Sequence, residues 1–291
     1  MVEISLKAYG KINIGLDVIG RRDDGYHMVR MIMQTVGIHD VVTVKRTQTG
    51  ISLTCTNPLV PTGERNIAWK AAARMMEVYG ITGGVSIHIE KNIPMAAGMA
   101  GGSTDAAAVI LAMNELFDLQ LTIQEMDRIA VRLGADVPFC LRRGTYLSEG
   151  IGELLTRLKD APDAEILVVN PPFEVSTAGV YHALDEIKDP PHPDIDRIIE
   201  TIGQQDIEGL AASMGNILEL VTEAANPLIS EIKEKMLELG AMASMMTGSG
   251  PTVFAVFARK EDAEAAYRFF KENNRFGNAF LTNLVKGNNL C

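Results

Sequence analysis

Cysteine is scarce in this chain: Cys55, Cys140 and Cys291 are the only three in 291 residues. They are too few and too scattered for a disulfide framework or a four-ligand zinc site, so a reducing cytosol is the expected setting. Long apolar runs are missing as well. Nothing approaches the ~20 residues that span a bilayer. The start, Met-Val-Glu-Ile-Ser-Leu-Lys, is strand-like and lacks the apolar core of a secretory signal. No membrane partner is expected. Basic residues are the minority, 27 Lys and Arg against 37 Asp and Glu, for a net charge of −10. That balance argues against nucleic-acid partners and anionic membranes. A phosphorylated small molecule remains open, because local donors decide its binding. Known nucleotide loops are absent too: no Gly-x-x-x-x-Gly-Lys-[Ser/Thr] occurs, and Gly-Ser-Gly-Pro-Thr-Val at 248–253 fails the dinucleotide fingerprint at its last position. No internal repeat or low-complexity linker divides the chain.

What is present begins with 47% hydrophobic residues, enough for substantial cores in one large domain or two. The densest signal is Pro-Met-Ala-Ala-Gly-Met-Ala-Gly-Gly-Ser-Thr-Asp-Ala-Ala at 94–107. It follows an alternating run at 84–90 and leads into an Ala-rich helical run at 106–116. A bare loop feeding a helix N-terminus offers backbone N–H groups and the positive end of a helix dipole to phosphate oxygens. Close packing of a helix on a strand would need the same small residues.

Around this loop the pattern alternates between strands and helices. Residues 11–18 alternate strictly, placing Ile12, Ile14, Leu16 and Val18 on one face and Lys11, Asn13 and Asp17 on the other, as in a half-buried strand. A turn is expected at 20–25, and strands at 41–45 and 51–55. A helix over 66–79 has Asn66 as its cap, and Thr122 with Glu125 forms a capping box for a helix that stops at Gly134. A buried strand at 165–170 precedes helical patterns at 178–187, 195–202 and 207–218. Asn226-Pro227 starts another helix, with Asn226 as cap and Gly240 as its end. Strands flank 247–251, a helix covers 262–273, and a last strand is expected at 281–286. The shift from strand-rich to helix-rich composition puts a boundary near residue 160.

Three separated segments carry the functional signal: Lys-Ala-Tyr-Gly-Lys-Ile-Asn at 7–13 with Asp-Gly-Tyr-His at 24–27; the loop at 94–104; and Met-Thr-Gly-Ser-Gly-Pro-Thr at 246–252, supported by Gly-Ala-Asp-Val-Pro at 134–138. In this order the set resembles the GHMP kinase superfamily over nearly the whole chain. The Lys-Ile-Asn strand, the Tyr-His turn and the Gly-Ala-Asp-Val-Pro segment resemble the branch that acts on a cytidine-diphosphate-linked methylerythritol. The resemblance implies a two-domain α+β fold, residues 1–160 and 161–291, with the active site in the cleft between them. It implies transfer of a phosphoryl group from ATP to the 2-hydroxyl of that substrate, a step of the non-mevalonate route to isoprenoid precursors.

Residue roles follow from the same resemblance. Asp136 would orient the hydroxyl and accept its proton, although an Asp in such a turn can equally be a cap. Lys11 would hold that carboxylate ionised and stabilise passing negative charge; otherwise it is a solvated strand lysine. Tyr26, His27 and Tyr181 match positions that hold cytosine, two rings stacking and the imidazole reading the polar edge. Asn13 would bond the substrate. The ATP phosphates would lie in Pro94, Met95, Ala96, Ala97, Gly98, Met99, Ala100, Gly101 and Gly102, with the hydroxyls of Ser103 and Thr104 added. Asn66 and Lys91 match positions near the nucleotide. Thr247, Gly248, Ser249 and Gly250 form the third motif. Mg2+ is expected to arrive with ATP, since no carboxylate cage is evident. Where the family pattern prefers Gly, this chain has Ala96 and Ala100, so right-handed or extended backbone is expected there. Two other readings stay open, as does the oligomeric state: a sister kinase acting on mevalonate or homoserine, and a sensor that binds without turnover. Tyr26-His27 speaks against the first, and Lys11 with Asp136 against the second.

Overall fold

A computed structural model of the chain describes residues 3–287. Met1, Val2 and Cys291, which entered the expectations above, lie outside the described residues. Two long strands, β1 (Glu3–Arg21) and β2 (His27–Thr47), pair antiparallel along nearly their full length. The expected turn is therefore shorter, and the strand expected at 41–45 is one end of β2. β3 (Gly50–Cys55) and β4 (Gly84–Glu90) extend one side of this pair, while β5 (Thr145–Glu149) and β6 (Leu154–Arg157) continue from the other end of β2. After β7 (Glu165–Asn170), the two residues of β8 (Gly215–Asn216) cross back and pair parallel with Gly15 and Leu16 of β1. β9 (Ala243–Met246), β10 (Val253–Phe257) and β11 (Asn278–Asn283) join β7 in a second, antiparallel sheet of order β11-β7-β10-β9. The α+β class expected from the sequence holds.

Among the described residues, ten α-helices cover these sheets. α1 (Ile67–Tyr79) and α2 (Gly101–Leu116) pack together, and α2 lies against β1 and β2 with most of its surface buried. Its run of alanines gives it high helix propensity and lets its neighbours approach on nearly every side. α3 (Ile123–Ala130) starts at the Thr122–Glu125 capping box, as read, and α4 (Val137–Arg142) follows within a few residues. In the second half, α5 (Thr177–Asp185), α6 (Ile195–Gln204) and α7 (Ile207–Ser213) precede β8. α8 (Glu219–Ala225), α9 (Pro227–Glu238) and α10 (Lys260–Glu272) follow it. On α6, Ile195, Ile198 and Ile202 form one buried stripe. Gly15 of β1 admits that stripe: a Cβ there would stand 2.5 Å from Ile198 Cδ1.

Four local expectations need correction. The helix expected over 207–218 stops at Ser213, because Gly215 and Asn216 add to the edge of β1. Asn226 does not cap α9 with its side chain; its Nδ2 donates to the Thr222 carbonyl at 2.9 Å instead. The last strand lies at 278–283, set by pairing with β7 rather than by its own apolar pattern. Finally, β1 is not half-buried between residues 10 and 17. It runs beneath both halves of the molecule, and Lys11, Asn13 and Asp17 are buried like the apolar residues between them. Register shifts at Tyr9/Lys11 and Asn13/Gly15 break the strict alternation. Ile12, Ile14 and Leu16 consequently join three different apolar clusters.

Candidate active site

The chain leaves β4 at Glu90 and winds through residues 94–100 before α2 begins at Gly101. Three alternate residues of this loop take left-handed backbone: Ala96 at φ 49°, Gly98 at 68° and Ala100 at 58°. The expectation of right-handed or extended geometry at the two alanines is thus overturned. Tertiary packing imposes the glycine-type path even where a Cβ makes it cost about 1–2 kcal/mol per residue. Gly98 has no such latitude, since a Cβ there would lie 2.5 Å from the Thr247 carbonyl oxygen. Ala100 occupies the cap position of α2 with no side-chain cap. The first-turn N–H groups therefore face a cleft of about 390 Å³, lined by residues 94–103 with Arg65, Asn66, Lys91 and Asp105 among others.

Not every residue expected at this cleft has a free group to offer. Ser103 lines it, whereas the Thr104 hydroxyl donates to the Tyr9 carbonyl at 2.7 Å and Thr104 is buried. Asn66 caps α1 by accepting from the Ala68 N–H at 2.8 Å, and its Nδ2 donates to Pro61 at 2.8 Å. Lys91 is almost wholly buried between Asp40 and Asp105, donating to Asp105 Oδ2 at 2.8 Å and forming a short contact with Asp40. Asp40 also accepts from the backbone N–H groups of Asn92 (2.6 Å) and Ile93 (2.8 Å), pinning the entrance to the loop. Lys91 Nζ sits directly under the start of α2, 3.0 Å from where a Gly101 Cβ would be.

Two buried carboxylates share that single ammonium. Burial opposes the charge on Lys91, yet Asp105 and Asp40 outweigh it and raise its pKa. Burial, with Asp40 beside it, pushes Asp105 up to about 8 against the pull of Lys91. Asp105 is thus the carboxyl that keeps its proton near neutrality, and its Oδ1 is buried without a hydrogen-bond partner. Neither Asp40 nor Asp105 stood out in sequence as a partner for Lys91.

The first and third motifs meet the loop at β1. The bulge beside Tyr9 frees the Lys11 N–H from the ladder, and it donates to the Met99 carbonyl at 3.1 Å. Lys11 Nζ donates to Asn13 Oδ1 at 2.6 Å and lies 3.6 Å from where a Gly248 Cβ would be. The Asn13 N–H donates to Thr247 Oγ1 at 2.9 Å. Thr247, Gly248, Ser249 and Gly250 form the β9–β10 turn. Asn216 of β8 braces it, its Nδ2 donating to both the Met246 and Gly248 carbonyls at 2.8 Å. Asn216 was hidden inside an apparent helical pattern and carried no signal of its own. Ser249 Oγ shares a 2.9 Å hydrogen bond with Thr177 Oγ1.

Asp136 precedes α4, but its side chain does not cap the helix and has no hydrogen-bond partner among the described residues. Its charge is felt on both sides. Burial, then Asp136, raises the Tyr181 hydroxyl to about 12. Cys140 is raised by burial and by Asp136, with Lys11 opposing. A second cavity, about 550 Å³, is lined by Tyr26, His27, Tyr181, Arg21 and Asp185 among others. The His27 and Tyr181 ring centroids are 4.8 Å apart, and Tyr26 is 61% exposed, leaving its ring open to a planar guest. His27 Nε2 contacts Asp185 Oδ1 at 2.8 Å. No local pattern in the chain singles out Asp185.

The loop at 94–100, Lys11 and Asn13 of β1 and the third motif thus meet at one wall, and the aromatic cavity is lined by a separate set of residues. Among the described residues, no three His, Cys, Asp or Glu side chains gather into a metal site, and no helix is long and apolar enough to cross a membrane.

Comparison with known proteins gives a consistent result. The family models for the GHMP kinases N terminal domain and the GHMP kinases C terminal match residues 66–144 and 193–275. A 4-diphosphocytidyl-2-C-methyl-D-erythritol kinase of Clostridium botulinum is 48% identical over 282 residues, 97% of this chain and 100% of the relative. One from Acetivibrio thermocellus is 50% identical over 273 residues, covering 94% and 96%. The crystal structure of a 4-(cytidine 5'-diphospho)-2C-methyl-D-erythritol kinase superposes with a TM-score of 0.83 at 31% identity, over 98% of this chain and 100% of that one. A homoserine kinase from Cytophaga hutchinsonii shares the fold at TM-score 0.79 and 19% identity, over 98% and 95% of the two chains.

Proposed function

The chain belongs to the GHMP kinases, and from that premise we infer that it transfers the γ-phosphoryl group of ATP to the 2-hydroxyl of 4-diphosphocytidyl-2-C-methyl-D-erythritol, in the non-mevalonate route to isoprenoid precursors. The observation that carries this reading is the convergence at β1. Lys11 and Asn13 touch the 94–100 loop through the Met99 carbonyl and the third motif through Thr247, so three motifs distant in sequence share one wall.

ATP lies with its phosphates over the loop and the first turn of α2, where N–H groups and the helix dipole meet negative charge. The cytosine ring enters the 550 Å³ cavity between Tyr26 and Tyr181. In this reading the acceptor alcohol lies between the two ends, beside Asp136. The Asp136 carboxylate accepts a hydrogen bond from the 2-hydroxyl, fixes its approach to the γ-phosphorus, and takes its proton as the bond forms. Because phosphoryl transfer is loose, orientation matters more than basicity early in the step. Lys11, held by Asn13, offsets charge on the oxygens in transfer.

Mg2+ would neutralise charge on the phosphates. Among the described residues no cluster of His, Cys, Asp and Glu fits it, and Asp105 is committed to Lys91, so no step is routed through the ion. Residues 1–160 and 161–291 form the two domains in this reading, following the two sheets, with β8 as the return crossing; the cytoplasm is the proposed compartment. The test is ADP release with purified protein, ATP and a panel of acceptors, namely the cytidine-linked methylerythritol, mevalonate and homoserine, with products identified by mass. Turnover confined to the first is expected. Turnover with another acceptor, or with none, would sink the reading.

A further inference from the structure

Asp185 belongs to none of the three motifs. It lies one helical turn after Tyr181 on α5 and reaches back across the cavity to the β1–β2 end. One carboxylate oxygen contacts His27 Nε2 at 2.8 Å, and the other accepts from Arg21 Nη1 at 3.2 Å. A carboxylate has no proton to give, so the contact with His27 makes Nε2 the protonated ring nitrogen. Arg21 supplies a counter-charge to the same carboxylate. In a neutral ring the remaining nitrogen, Nδ1, is an acceptor. Nδ1 has no partner among the described residues, and His27 lines the cavity.

We propose that Asp185 is a positioning residue that sets base specificity: by holding His27 with Nδ1 as an acceptor toward the cavity, it selects a nucleobase that presents an exocyclic amino group, cytosine, over one that presents a carbonyl oxygen there, uracil. The inference rests on the proposed function, which puts a cytidine diphosphate in this cavity. Cytosine and uracil are alike in size and stacking surface, so Tyr26 and Tyr181 cannot separate them. Only the polar edge can. An acceptor meeting the cytosine amino group gains a hydrogen bond; the same acceptor meeting the uracil oxygen leaves two lone pairs facing each other in a partly dry cavity. A discrimination on the order of 10- to 100-fold follows. Without Asp185 the imidazole can adopt the other tautomer, present N–H, and accommodate uracil.

The experiment compares kcat/KM for cytidine- and uridine-diphosphate-linked methylerythritol in the wild-type protein, Asp185→Ala and Asp185→Asn, together with 15N NMR of the His27 ring. The expected result is a wild-type preference for the cytidine substrate that falls about tenfold or more in Asp185→Ala, mainly through KM for that substrate. The ATP KM and the saturated kcat should stay near wild type. Asp185→Asn still offers an oxygen to the Nε2–H and should retain most of the preference. The ring should show a single Nε2–H tautomer in the wild type and a mixture in Asp185→Ala. An undiminished preference in Asp185→Ala, or an Nδ1–H tautomer in the wild type, overturns the inference alone. If the wild type acts on neither nucleotide-linked acceptor but turns over another, the functional reading fails and the inference fails with it. If Asp185→Ala does not fold, the Asn variant and the wild-type tautomer still decide.

Discussion

The two cavities, which the proposed function assigns to phosphate and to base as the two ends of the bound substrates, are made from different materials. At the phosphate end, the 390 Å³ cleft is built around the 94–100 loop with alternate left-handed residues and an uncapped helix start, with Val60, Arg65, Asn66 and Ile67 also lining it. At the base end, the 550 Å³ cavity is walled by side chains, Tyr26, His27 and Tyr181, with Arg21 and Asp185 behind them. The difference suits the guests. A triphosphate presents equivalent oxygens that many N–H groups can meet, so the recognising surface needs shape and positive potential rather than particular side chains. A nucleobase presents one flat face and one ordered edge, which takes rings and a fixed donor–acceptor pattern. Substitution should therefore act through backbone geometry at one end and through chemistry at the other.

The proposed function puts Asp136 between the two ends, and its replacement should have the largest effect. Asp136→Asn is expected to lower kcat by about 10²- to 10⁴-fold with both substrate KM values little changed. Lys11→Met should likewise reduce kcat more than either KM. Steady-state kinetics with each substrate varied checks both. Near-normal turnover in Asp136→Asn would remove this residue from the chemistry and leave the junction without a reacting group.

The contrast itself is tested by one substitution at each end. Gly98→Ala adds a Cβ at φ 68° and within 2.5 Å of the Thr247 carbonyl, so the loop must shift. The ATP KM should rise about tenfold or more, with the cytidine substrate KM steady. Tyr181→Ala removes one stacking wall, worth about 1–3 kcal/mol, and should raise the cytidine substrate KM about 5- to 150-fold while sparing ATP. If either variant raised both KM values equally, the two ends would have to be regarded as one coupled unit.

The buried charges beneath the phosphate end make a pH prediction. The pKa of Asp105 is raised in the folded protein from an ordinary value near 3.8 to about 8. A raised carboxyl contributes stability that is complete below its unfolded pKa and is lost as pH rises through the folded one. Stability should thus decline between about pH 4 and pH 8, and Asp105→Asn, with no proton to lose, should show a shallower decline. Urea midpoints at pH 5, 6, 7 and 8 measure this. Glu219, raised by burial to about 7 despite Lys233, leaves a residual slope in the variant. Equal slopes in the two proteins would mean that Asp105 is ionised throughout.

The same division of materials explains what could be read from sequence. The Asn66 cap, the Thr122–Glu125 box and the loop-to-helix passage at 94–116 were legible because each depends on residues a few positions apart. Asp40 was not, since its partners Lys91, Asn92 and Ile93 lie more than 50 residues away. Asn216 was read as helical because Ile207 to Leu218 has helical spacing, and only pairing with β1 extracts a strand from it. The burial of Lys11 and Asn13 depends on the second half of the chain folding over a strand that looks amphipathic by itself. At the base end, Tyr26, His27 and Tyr181 were legible through family resemblance, whereas Asp185 is defined only by what it touches.

The smallest expected effect concerns the two alanines that local rules would not put in left-handed backbone. Replacing either by Gly relieves about 1–2 kcal/mol of strain, while the greater freedom of Gly in the unfolded chain returns about 0.4–1 kcal/mol. Ala96 is exposed, so Ala96→Gly loses no packing and should stabilise by about 0.5–1 kcal/mol, a gain of roughly 1–3 °C in Tm. Ala100 is half-buried and packs against the main core, so its glycine variant also gives up a methyl contact worth up to about 0.8 kcal/mol. Ala100→Gly should therefore be close to neutral, and thermal unfolding of the two variants side by side should rank Ala96→Gly above it. If neither gained, the strain would be absent and the loop path would belong to the alanines as naturally as to glycine. If both gained equally, the Ala100 methyl would contribute nothing, and main-chain geometry alone would describe the phosphate end.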